Sequence, residues 1–313
     1  MTRYLARRIA YLLVTLWVIV TLAFLAIHLV PGNVTAFLLQ EQTSPERVAE
    51  LKKALGLDRS MWTQYSSWMS GLAHGNLGTS FVSDRSVSSD IVARLPVTAE
   101  LAGVGMLISL LIAIPAGVLS AAKRNSVIFD YGARLTALAG VSVPSFWLGL
   151  LLIGLFSVHL KWLPSSGWTT PGQSIVGNLE HVALPALTLG VLMAGSVTRM
   201  LRASMLEAMQ NDYIRVARAK GLPERAVIWR HALRNALVPS ITLVGLQMGY
   251  LLGGTVVLEQ VFSLPGVGRY LLNGIFDRDY PVVQSMILVY GLAFMLINLM
   301  VDIIYGIADP RVR

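Results

Sequence analysis

The 313-residue chain contains no cysteine, which excludes a disulfide framework, a thiolate nucleophile, a Cys-based metal site and anchoring through a lipidated cysteine. Charge is scarce as well. Asp, Glu, Lys and Arg make up 13% of the residues, roughly half the share of a soluble globule. Catalytic signatures are missing: no G-x-x-x-x-G-K-[ST] segment is present to cradle nucleotide phosphates, and there is no G-x-S-x-G and no H-E-x-x-H. The five histidines, at 28, 74, 159, 181 and 231, are scattered without ligand spacing. The expectation is a non-catalytic chain that binds neither metal nor cofactor itself.

Apolar residues are what the chain has in excess. They make up 55% of it, and the mean hydropathy of +0.63 marks an integral membrane protein. A helix needs about 20 apolar residues to cross the hydrocarbon core, and six segments qualify: Ile9–Val30, Leu101–Ala122, Leu135–Leu160, Val182–Thr198, Ala236–Leu258 and Val282–Val301. They are solidly apolar and do not alternate, which predicts helices and not a barrel. The first has 22 residues without formal charge, longer than the roughly 7–15 of a signal peptide's apolar region, and reads as a retained span. The fold class is thus all-α, with six transmembrane helices.

Orientation follows from the basic residues. Sixteen of the 25 Lys and Arg fall on the side that holds both termini, and only Lys161, Arg269 and Arg278 on the short loops opposite. Both termini are therefore expected in the cytoplasm of a multi-pass cytoplasmic (inner) membrane protein. The net charge of +8 is then a matter of topology and does not signal nucleic acid. The chain divides into an N-terminal span (1–30), an extracytoplasmic cap (31–94), a transmembrane core (95–306) and a cytoplasmic tail (307–313). Within the cap, Ser44 to Asp58 reads as a helix with Ser44 as N-cap, Pro45 at its first position and Gly56 past its end. Next, Trp62, Tyr65, Trp68, Met69 and Leu72 share a helical face, suited either to the bilayer interface or to packing on the bundle.

Prolines 115, 144 and 185 lie inside expected spans and Pro239 near the start of one. Gly245, Gly249 and Gly253 form a small-residue stripe, read first as a packing face and second as a pore lining. Polar residues at membrane depth are few. Gln247 and Asn298 fit either a passage or interhelical hydrogen bonding, Asp302 fits an interfacial cap, and Glu259 fits substrate contact or support of the following loop. No chain of intramembrane carboxylates is present, which weighs against proton coupling, and neither ion ligands nor inverted repeats favour a gradient-driven secondary transporter.

One stretch stands apart. Between Tyr213 and Ser240 lie Arg215, Arg218, Lys220, Arg225, Arg230, His231 and Arg234, against the single acid Glu224. A helical pattern runs from Ser204 to Lys220 through Met205, Met209, Tyr213 and Val216–Ala217. Gly221 then sits where a helix end favours positive φ, and Pro223 where a new helix begins. The second helix places Ala226, Trp229, Ala232–Leu233 and Ala236–Leu237 on one face and merges into the fifth span. Two helices (204–235) bent at Gly-Leu-Pro could form a solvated loop, a nucleic-acid reader or a docking lever. Both ends are tied to the bilayer, which makes groove docking awkward.

The segment RVARAKGLPERAVIWRHALR resembles the cytoplasmic signature loop of binding-protein-dependent ABC importer permeases, in the dipeptide/oligopeptide branch. Asp212 to Gly221 and His231 to Pro239 are similar to that branch's form DYIRxARAKGL…HALRNALxP. LGLDRSMWTQY, GLAHGNLGTSF, RLPVTAELA, FSLPGVGRY, DRDYPVVQ and VDIIYGIADPRVR also resemble it, so the likeness covers nearly the whole chain. It implies a type I importer permease that pairs with a second, related permease, two cytoplasmic ATP-binding subunits and an extracytoplasmic substrate-binding protein. ATP and Mg would belong to the partner subunits. The bent pair would be the coupling element, carried by Asp212, Tyr213, Arg215, Ala217, Arg218, Ala219, Lys220, Gly221 and Leu222. Ala217 and Ala219 would seat it closely, Gly221 would bend it, Tyr213 and Leu222 would anchor it, and the basic residues would orient it. Di- or oligopeptides are the implied cargo; nickel complexes, glutathione and oligosaccharides are carried by the same branch.

Overall fold

The computed structural model describes residues 2–29, 46, 53, 56–123 and 143–308. Ten helices are named here: α1 (Thr2–Leu29), α2 (Met61–Ala73), α3 (Val87–Ala122), α4 (Ser145–Leu152), α5 (Ile175–Ala208), α6 (Asp212–Ala219), α7 (Glu224–Ala226), α8 (Leu233–Val261), α9 (Val267–Phe276) and α10 (Tyr280–Ala308). Wider π-type turns extend α4 over Ile153–His159 and join α7 to α8 over Val227–Ala232. Among the described residues the only β pairing is an isolated bridge between Thr79 and Ser86. The architecture is all-α.

Wherever they are described, the six expected apolar segments are helical, apart from residues 143, 144 and 160 at the ends of the third. By length and composition α3, α5 and α10 are each sufficient to cross a membrane, and α8 becomes a fourth if its two halves count as one span. Tyr11–Leu25 and Ser145–His159 are shorter apolar helices. Several boundaries differ from the sequence expectation. Helix α3 starts at Val87 and not at Leu101, because Ser88, Ser89, Asp90 and Arg94 lower the hydropathy without breaking a helix. Pro144 stands at the N-cap of α4, with φ −62° and ψ 138°. A proline lacks the N–H that a helix interior needs, so it opens this helix and does not interrupt it. Residues 135–142 of the third segment, and most of the cap helix expected after Ser44, lie outside the described residues.

The chain divides into two compact units, Met1–Pro96 with Gly266–Met295, and Val97–Pro265 with Leu296–Arg313. In the first, Phe24 of α1 packs edge-on to Tyr65 (5.3 Å between ring centroids) and stacks on Trp68 (5.8 Å), while Thr21 and Tyr65 share a hydrogen bond of 2.8 Å. The α2 aromatic face therefore splits: Tyr65 and Trp68 pack on α1, and Trp62 stays 74% exposed. The loop after α2 is held by Asp279, whose carboxylate accepts from the Ser80 hydroxyl at 2.5 Å and the Phe81 N–H at 3.2 Å. Val87, Ile91, Val267, Tyr270, Val282 and Met286 form the buried cluster of this unit. Burial, with Asp90 and Asp279 nearby, pushes the Tyr270 phenol up to about 12.

In the second unit Leu101, Leu184, Leu189, Leu258, Phe262 and Leu264 anchor the main core. Glycine permits close packing here. A Cβ on Gly190 of α5 would lie 2.8 Å from the Gly105 carbonyl oxygen of α3, and one on Gly245 of α8 would collide with Val301. Gly253 meets nothing within 4 Å, so the small-residue stripe packs at one end and is open at the other. Glu259 is completely buried and accepts the Thr98 hydroxyl at 2.6 Å, while its carbonyl accepts the Leu264 N–H at 2.8 Å. The Glu259 side chain thus ties α8 to α3, and its backbone closes the first turn of the following loop.

These glycines separate two outcomes. Gly190→Ala should lower thermal stability in detergent, because a backbone carbonyl cannot swing aside and overpacking costs about 1–3 kcal/mol. Gly253→Ala should be neutral or slightly stabilising, since alanine favours helix over glycine by roughly 1 kcal/mol.

Candidate functional site

The basic stretch folds as an elbow, and its first arm does not run straight out of the bundle. Helix α5 ends at Ala208, and Met209, Gln210 and Asn211 turn back on it through backbone bonds to Met205, Glu207 and Ala208. Asn211 takes extended backbone, with φ −71° and ψ 150°, at the N-cap of α6. The continuous helix expected from Ser204 to Lys220 is thus broken at Asn211, whose side-chain amide donates back to the Glu207 carbonyl at 3.4 Å and does not cap α6. The break resets the faces. Ile214 and Ala217 are buried, whereas Tyr213 and Val216 turn outward.

The bend itself is closed by backbone alone. Gly221 has φ +75°, a region that L side chains reach only at a cost. Its N–H donates to the Arg218 carbonyl at 2.9 Å, and the Leu222 N–H donates to the Ala217 carbonyl at 3.4 Å. This pair of bonds is the Schellman closure of a helix C-terminus. Pro223 caps the next arm with φ −63° and ψ 141°, and Glu224 is its first helical residue.

Side chains then clasp the bend. Arg218 donates through Nη2 to Glu224 Oε1 at 2.6 Å and through Nε to Oε2 at 3.1 Å. This two-point bond holds the Glu224 carboxyl below its ordinary range and the Arg218 guanidinium above its own, with partial burial opposing both. Exposed ion pairs contribute about 0–1 kcal/mol, so the clasp sets direction more than stability. On the first arm Arg215 reaches Asp212 at 3.3 Å, both well exposed.

The second arm runs from Glu224 through the π-type turn into α8. A π turn closes i to i+5 and shifts the helical register: Ala232 and Ala236 are buried as expected, whereas Val227 takes the inward place expected of Trp229. With Ile214 and Ala217 they join Val118 and Ala121 of α3 and Leu201, Met205 and Ala208 of α5 in one cluster. Ala217 therefore seats the elbow on its own chain, while Ala219 lies exposed with Lys220, Gly221 and Leu222. The outer surface carries Tyr213, Val216, Leu222 and Trp229 among Arg215, Lys220, Arg225 and Arg230. Val216, 52% exposed, is absent from the site expected from sequence. An apolar residue next to buried Ala217 reads as part of the inner face until the break at Asn211 is known. Such a surface suits an apolar cleft with an acidic rim. Among the described residues no group of three or more His, Asp or Glu could hold a metal ion.

The family described as binding-protein-dependent transport system inner membrane component matches residues 113–313, and the corresponding N-terminal family matches residues 1–102. The chain belongs to this family. It is 41% identical to a dipeptide transport system permease protein of Alkalihalophilus pseudofirmus, over all of both chains. It is 40% identical to a di/tripeptide transport system permease protein of Pseudomonas aeruginosa, over all of this chain and 99% of the relative. Among solved structures, an inward-facing form of the MetNI methionine ABC transporter superposes with a TM-score of 0.57 at 17% identity, over 70% of this chain and 96% of that one. The last likeness establishes the fold of this inner membrane component.

Charge reversal tests the clasp. With one cysteine introduced at Arg215 and one at Arg225 as spin-label sites, Glu224→Gln should broaden the inter-label distance distribution. The exchange Arg218→Glu with Glu224→Arg should narrow it again. The lowered Glu224 carboxyl contributes above its unfolded value and loses that contribution as pH falls through the folded one. The distribution should therefore stay narrow from pH 8 downward and widen only below about 4.3, the ordinary glutamate value.

Proposed function

We propose that the chain is one permease of an ABC importer for dipeptides or other short peptides, and that its elbow is where ATP hydrolysis on partner subunits enters the bundle. Two such cytoplasmic subunits, a second related permease and an extracytoplasmic binding protein complete the assembly, and both termini of this chain lie in the cytoplasm. The full-length likeness to permeases named for dipeptides and di/tripeptides supports the cargo. The observation that carries the mechanical part is the elbow itself. It is closed at Gly221, clasped by Arg218 and Glu224, rooted through Ile214, Ala217 and Val227, and continuous with α8. An element built this way transmits displacement without absorbing it. When nucleotide closes the ATPase pair, the docked elbow moves with its cleft, and the bundle follows as a two-state change.

Tyr213, Val216 and Leu222 are the anchors on this reading, oriented by Arg215 and Lys220. Anchors at interface centres cost about 2 kcal/mol or more when lost, a factor near 30. Val216→Asp should therefore reduce co-purification of the ATP-binding subunit by at least that order while membrane insertion is retained. Proline fixes φ near −65° and cannot adopt the +75° of Gly221. Gly221→Pro should thus leave ATP hydrolysis running without peptide uptake in vesicles. Normal uptake by that variant, at verified expression, would refute the coupling role.

A further inference from the structure

We infer that a cavity in the second unit, at the bend of α8, is a station for the peptide cargo in transit, where Gln247 reads a main-chain amide. This rests on the peptide-permease reading above. Helix α8 does not cross the bundle as one rod: its halves Pro239–Gly249 and Gly253–Val261 meet at 55°. Broken helices at membrane depth persist where they are buried in protein or line a cavity, and here one is present. It measures about 280 Å³ and is lined by Ser145 of α4, Met193 and Ser196 of α5, and Gln247, Leu251 and Gly254 of α8, among others.

Three features point to a ligand. The Gln247 side-chain oxygen is buried without a hydrogen-bond partner, although a buried acceptor left unpaired is costly and rare in native proteins. Leucine would fill the position without that cost. A carboxamide both accepts and donates, which matches the N–H and C=O of a peptide unit. Ser145 and Ser196 add hydroxyls, and none of the lining residues is charged. A neutral lining has a consequence for transport. Cargo must be held well enough to enter and weakly enough to leave, and formal charges at this depth would trap a zwitterion. Reading the main chain and not the side chains also leaves the station tolerant of sequence.

The test uses the complete complex in liposomes, with ATP available to the hydrolysing subunits, the binding protein outside and radiolabelled dialanine as cargo. Gln247→Leu should lower dialanine uptake about three- to tenfold, the worth of one net hydrogen bond, while binding-protein-stimulated ATP hydrolysis stays within about twofold. The chain has no native cysteine, so a Ser196→Cys variant places a single thiol of this chain on the cavity wall. Alkylation of that thiol should block uptake, and dialanine should slow the alkylation during turnover. The inference is overturned if Gln247→Leu imports dialanine at the wild-type rate, or loses hydrolysis and uptake in equal measure as a merely structural residue would. Alkylation indifferent to dialanine overturns it too. Failure of the wild-type complex to import any peptide is a separate result, seen before any variant is made; it refutes the peptide reading and this inference with it.

Discussion

A left-handed glycine turn closed by its own backbone is the joint on which this structure depends. Without φ +75° at Gly221, the Leu222 N–H could not reach back to Ala217, and α6 would end in unpaired carbonyls or run on. The turn brings Arg218 and Glu224 together although they lie six positions apart. It also sets the apolar edge of Tyr213, Val216 and Leu222 outward while Ile214 and Ala217 face in. The local backbone thus dictates both the anchoring side and the docking side of the elbow.

Rigidity at the joint matters only because both arms are held. The elbow cluster draws on α3, α5, α6 and α8 and on the π-type turn, so displacement of the elbow acts on three long helices together. Helix α8 links this region to the cavity, since it runs from Leu233 to Val261 and bends between Gly249 and Gly253. On the proposed function, the half that carries the elbow is the driven part and the bend is where the cavity changes shape. Gly253 lies on the exposed side of the bend, where a methyl group would meet nothing. Gly245, tight against Val301, gives the driven half a fixed neighbour.

The helical class and the apolar segments were legible because a backbone in hydrocarbon has few alternatives, and runs near 20 residues announce it. Gly221 was legible too, since a glycine ahead of Leu-Pro at the end of an amphipathic run has one common use. The break at Asn211 was not. Met209 and Tyr213 keep the apolar spacing in phase across a three-residue turn, so periodicity passes over it. The π-type turn hid for a related reason: its register shift moves Trp229 outward, and a pattern counted at 3.6 residues places it inward. The Arg218–Glu224 clasp escaped because charge pairing along a helix is sought at three or four residues, not across a reversal. The alternatives for Glu259 and Gln247 could not be separated from sequence, since burial and partners decide them. One is buried with its carboxylate on Thr98 of α3, and the other lines a cavity.

The most direct measurement of the central claim is site-specific photo-cross-linking from position 216 in native membranes that contain the whole assembly. The expected result is an adduct with the ATP-hydrolysing subunit whose yield changes when a non-hydrolysable nucleotide closes that subunit. An elbow at which position 216 captures only lipid or this chain itself, with the assembly intact and transporting, would contradict it.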